Sequence, residues 1–204
     1  MVVTSTHKPT RVNSLWCWHV VLALADLKEG RVDAARRRLG DIESCLREVE
    51  QKNGKSSGTH IVHALNLMEA EVLVAEGSFD DAVRVGQRPP AGSYWGYFFP
   101  LCLWANCPLE RDVVARAYEK KGDLDKAIQE YEQLLTFVPH QDNRLLVLPV
   151  YHYRLAKLCE KKGRTAEAVG QYQKFLTIMG EADVYLAEIA DAKKRVAALK
   201  RGGS

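Results

Sequence analysis

Apolar residues recur along this chain at intervals of three and four, the spacing that lines one face of an α-helix. In "LDKAIQEYEQLLTF", Ile128, Tyr131, Leu134 and Leu135 share such a face, and Pro139 stops the run. In "YHYRLAKLCEKKG", Leu155, Leu158 and Cys159 do the same. Toward the end, "ADVYLAEIADAKKRVAALK" places Val184, Leu186, Ile189, Val196 and Leu199 among charges. No β-alternating run bounded by hairpin turns occurs, so the pattern predicts an all-α chain.

Self-similarity organises these helices. A small residue precedes a glycine by seven positions, and the glycine precedes an alanine by five, four times over: Ala23-Gly30-Ala35, Ala70-Gly77-Ala82, Ala115-Gly122-Ala127 and Ala156-Gly163-Ala168. Each glycine predicts a helix end, because a left-handed C′ residue is unstrained only without a Cβ. Basic residues precede it, as in "EKKG" twice and "LKEG" once, where cations favour the negative end of the helix dipole. The paired alanines predict close approach of two antiparallel helices.

This unit resembles the tetratricopeptide repeat, a helix-turn-helix of ~34 residues. The resemblance is strongest over 108–180, where Tyr118, Tyr131, Pro139 and Tyr172 stand at matching places, and weakest over 60–90, where "RPP" at Arg88 to Pro90 shortens the second helix. Successive glycines lie 47, 45 and 41 residues apart, so each connection carries extra length. The resemblance implies a right-handed superhelical solenoid of about four hairpins near 16–50, 60–90, 108–140 and 149–180. These would form one domain over 16–200, with a flexible start at 1–15, an aromatic insert at 91–107, a capping helix at 182–200 and a disordered tail at 201–204. The capping helix would shield an end face that otherwise meets water.

The resemblance also implies that the first helix of each pair lines a concave groove. Its ligand positions fall on Val20, Leu24 and Leu67 in the first half, and on Arg116, Tyr153 and Lys157, with Arg154 beside them, in the second. The expected groove is apolar at one end and basic at the other, suited to a protein or peptide with an acidic stretch. Val20, Leu24, Leu67 and Glu71 stand where a chaperone-binding carboxylate clamp would need lysine and asparagine, which disfavours that role. The C-terminal half further resembles repeat regions that follow catalytic domains in large bacterial signalling proteins. That implies a scaffold or a regulatory fragment, although no kinase or cyclase motif occurs in the chain.

The stretch "GSYWGYFFPLCLWANCP", Gly92 to Pro108, carries six aromatic residues. It fails as a membrane span, which needs ~20 consecutive apolar residues, because Ser93, Gly96, Pro100 and Asn106 interrupt it. It is expected to plug the core left open by the shortened second repeat. Alternatively Trp95, Phe98, Phe99 and Trp104 anchor an interface, with a homodimer as one outcome.

Composition narrows the rest. The 29 basic and 26 acidic side chains nearly cancel at +3, which does not point to nucleic acid. Five scattered cysteines predict reduced thiols and a cytoplasmic setting. "NGKSSG", Asn53 to Gly58, has the tail of a phosphate loop but Val49 where its first glycine belongs, so it reads as a linker. His60 and His63 lack further ligands of recognisable spacing, and no second pair follows Cys102 and Cys107, so no metal is expected. No nucleophile elbow, zinc-protease or dinucleotide motif occurs. The expected protein has neither catalytic residues nor a cofactor.

Overall fold

The computed structural model describes residues 12–54, 59–88, 112–136, 148–184 and 186–202. The described residues form helices and no strand. Two compact units, Met1–Val113 and Val114–Ser204, occupy the span where the repeat pattern predicts one domain. Each unit has a hydrophobic core cluster of its own.

The first unit contains α1 (Val12–Lys28), α2 (Val32–Asn53), α3 (Thr59–Ala75) and α4 (Phe79–Gly86). Helix α1 packs on α2 and α3, α2 on α3, and α3 on α4. Trp16, Val20 and Ala23 of α1 meet the α2 stripe Ala35, Leu39, Ile42, Cys45 and Val49. Helix α1 starts at Val12, within the expected flexible segment, because no glycine or proline interrupts the chain from there to Lys28.

The second unit contains α5 (Val113–Lys121), α6 (Leu124–Leu135), α7 (Val150–Lys161), α8 (Thr165–Met179) and α9 (Leu186–Gly202). Helices α6 and α7, α7 and α8, and α8 and α9 pack in succession. Tyr131, Leu155, Leu158, Tyr172 and Phe175 are among the fully buried large side chains of its core. Helix α9 runs through Arg201 and Gly202, two residues into the expected tail.

All four hairpins are joined in the same way. Gly30, Gly77, Gly122 and Gly163 adopt φ of 75°, 81°, 89° and 73°. The residue after each glycine donates its N–H back across the turn, Arg31 to Asp26 at 2.8 Å and Ser78, Asp123 and Arg164 to Leu73, Tyr118 and Cys159 at 2.9 Å. Those bonds satisfy the carbonyls that a helix end leaves open. The same residue then caps the next helix: its carbonyl accepts from the N–H of Ala35, Ala82, Ala127 or Ala168 at 2.9–3.1 Å. All eight repeat alanines are fully buried. A larger side chain there would wedge the helices of a hairpin apart.

Charged pairs tie neighbouring hairpins near these turns. In the first unit Arg36 Nε donates to Glu76 at 2.7 Å. In the second, Lys162 Nζ donates to Asp125 at 2.8 Å, and Lys161 pairs with Glu119. Lys161 and Lys162 of the second "EKKG" therefore bridge hairpins as well as facing a helix dipole.

Candidate interaction surface

In the first unit the residues expected to line an apolar groove differ in burial. Val20 is fully buried and Leu67 nearly so, and Leu24 packs partly covered against the same core as Val20. Val20 and Leu67 thus supply packing between helices, while Leu24 stays partly exposed. The cause is that α1 is apolar on nearly every side, so its inner face is spent on α2 and α3. Its opposite side leaves Leu15 and Trp18 exposed by 47% and 59%. Asp26 and Asp112 are buried acids of this unit, and Arg31 donates to Asp26 at 2.6 and 2.9 Å. That hydrogen bond holds the Asp26 carboxyl below its usual range.

In the second unit the expected residues fall on α5 and α7. Arg116 and Arg154 are half-buried, and neither is without a partner. Tyr153 and Lys157 come together: the lysine Nζ stands 5.5 Å from the centre of the tyrosine ring, within cation–π range. Tyr153 itself is buried, its ring against Tyr172 and Phe175 of α8. Its hydroxyl donates to Asp191 Oδ2 at 2.8 Å.

That bond belongs to a larger constellation absent from the sequence reading. Arg195 donates through Nε to Asp191 Oδ2 at 2.6 Å and through Nη1 to Glu160 Oε2 at 2.9 Å. Tyr172 donates to the same Glu160 oxygen at 2.9 Å. One guanidinium thus holds two carboxylates, and each carboxylate also accepts from a tyrosine. Beneath lie the rings of Tyr153, Tyr172 and Phe175, with Tyr153 centred 5.9 Å from Tyr172 and 5.4 Å from Phe175.

The electrostatics follow from these contacts. Burial, then the bond to Asp191, pushes the Tyr153 phenol up to about 12. Tyr172 is also pushed up, by burial and then by Glu160. Burial works to raise Asp191, but the hydrogen bonds from Tyr153 and Arg195, with the charges of Arg195 and Lys157, outweigh it and hold the carboxyl low. The α7 surface therefore already binds an ionised carboxylate. The only sequence signal for this was the four-residue spacing of Asp191 and Arg195 on one helix face.

Other expected features are placed more simply. Cys17, Cys45 and Cys159 are buried, and burial pushes the Cys45 and Cys159 thiols up. Residues 55–58 of the expected linker and the aromatic segment with Trp95, Phe98, Phe99 and Trp104 lie outside the described residues. Among the described residues no helix is long and apolar enough to cross a membrane.

No curated protein and no solved structure matches the chain. Residues 113–139, which carry the α5–α6 hairpin around Gly122, match the family model of the tetratricopeptide repeat.

Proposed function

We propose that the chain is a non-enzymatic interaction module, a scaffold or adaptor that takes an acidic segment of a protein or peptide on the Tyr153–Lys157 face of its C-terminal unit. Repeats of the family matched at 113–139 generally bind proteins or peptides. The observation that carries the acidic preference is Asp191: a carboxylate rests on the Tyr153 hydroxyl in the field of Lys157. Buried thiols agree with a cytoplasmic setting. The resemblance to bacterial signalling proteins favours a module that works beside other domains.

The test is a titration of a fluorescent, glutamate-rich helical peptide into the full chain and into an Arg154→Glu/Lys157→Glu variant. A tenfold or greater loss of affinity in a variant with unchanged circular dichroism supports the reading. Equal affinity sinks it.

Self-association is a second reading, favoured by Leu15 and Trp18 standing exposed on α1. Light scattering across a range of concentrations separates it from the first, since a monomer at every concentration excludes it.

A further inference from the structure

Helix α9 is seated more lightly than its neighbours. Among its residues of described burial, Ile189 and Ala192 are buried and Val196 and Leu199 partly covered, whereas α7 buries seven residues. Ala187, Ala190, Lys193, Lys194, Ala197 and Ala198 on its other side are exposed. What fixes its register is polar: Asp191 on Tyr153, and Arg195 across Asp191 and Glu160. An element with few apolar anchors opens at a lower free energy than the core around it. Opening would uncover the three-ring cluster together with both tyrosine hydroxyls, Lys157 and Glu160.

We infer that α9 is an internal stand-in for a partner's helix, and that the partner binds by displacing it. The inference rests on the proposed interaction function and narrows the partner. The uncovered face offers Tyr153 and Lys157 to a carboxylate, and Glu160 and Tyr172 to a cation. The fitting ligand is an amphipathic helix with an acid, an arginine four residues later, and small or aliphatic residues beside them. That is the pattern of Ile189, Asp191, Ala192 and Arg195. The short connection from Met179 to Leu186 keeps α9 at an effective concentration on the order of millimolar. The partner's apparent affinity is its intrinsic affinity reduced by the open fraction, so loosening α9 raises it.

The probe is a labelled synthetic peptide copying residues Ala182 to Gly202, titrated into the full chain. The comparison is wild type against an Ile189→Ser/Asp191→Asn variant, with hydrogen exchange over 186–202 reporting that the chain's own helix has opened. The opened variant should bind the peptide at least tenfold more tightly, and adding Tyr153→Phe and Lys157→Glu should remove that gain. Saturating peptide should also accelerate exchange over 186–202 in the wild type. This readout decides the matter if the variant does not fold, and unchanged exchange at saturation overturns the inference. Equal affinity in wild type and opened variant likewise overturns it. The proposed function then still stands if the glutamate-rich peptide depends on Arg154 and Lys157, and falls separately if it does not.

Discussion

The phenol of Tyr153 is hydrogen-bonded at 2.8 Å to the carboxylate of Asp191, a residue 38 positions later in the chain. This contact joins the repeat helix α7 to the terminal helix α9. Asp191 is about a third exposed, so the bond is worth less than a buried charged one, about 1 kcal/mol. Tyr153→Phe is expected to speed hydrogen exchange over 186–202 about fivefold while leaving α5 and α6 unchanged.

The same pair predicts sensitivity to pH in two directions. The Tyr153 pKa lies at about 12 in the folded chain, against ~10 for an unfolded tyrosine. Its contribution is therefore complete below pH ~10 and is lost as pH rises toward the folded value. Asp191 is depressed, so its contribution is present above pH ~4 and fades as pH falls through its lowered value. Protection over 186–202, taken relative to the intrinsic exchange rate at each pH, should fall at both extremes, and Tyr153→Phe should blunt the alkaline limb. Tyr172, also raised, keeps a residue of it.

Gly122 isolates the backbone's contribution to the repeat. It sits at φ 89°, and a Cβ there would meet nothing within 4 Å, so the cost of a side chain is conformational. Gly122→Ala is expected to destabilise the second unit by about 1–2 kcal/mol, and Gly122→Asn by less, because asparagine tolerates the left-handed region. Urea unfolding followed by tyrosine fluorescence measures both.

The buried alanines predict the opposite kind of defect. Ala127 is fully buried, so Ala127→Leu should cost about 1–3 kcal/mol through overpacking. Ala198 lies on the exposed side of α9, and Ala198→Leu should stay within about 0.5 kcal/mol. Paired thermal melts test the contrast.

The helical hairpins were legible in the sequence because their joints depend on local geometry. A positive φ selects glycine and a close helix approach selects alanine, so the spacing shows in the letters. Burial within a helix was harder to read. Val20 and Leu67 stand at groove positions implied by resemblance, yet α1 and α3 are apolar on so many sides that periodicity does not say which side packs. In the terminal helix, Val184 fits the apolar pattern but lies ahead of Leu186, where the helix begins, and is exposed by 52%. The network of Tyr153, Asp191, Arg195, Glu160 and Tyr172 was hidden for another reason. It depends on where α9 lands on α7 and α8, a tertiary relationship that no local spacing encodes.

The most direct test of the account is to add the glutamate-rich helical peptide to isotope-labelled full chain and follow every backbone amide by NMR. The account predicts shifts centred on α7 around Tyr153 and Lys157, with loss of the native signals of α9. Shifts confined to other helices, or none at any peptide concentration, would contradict it.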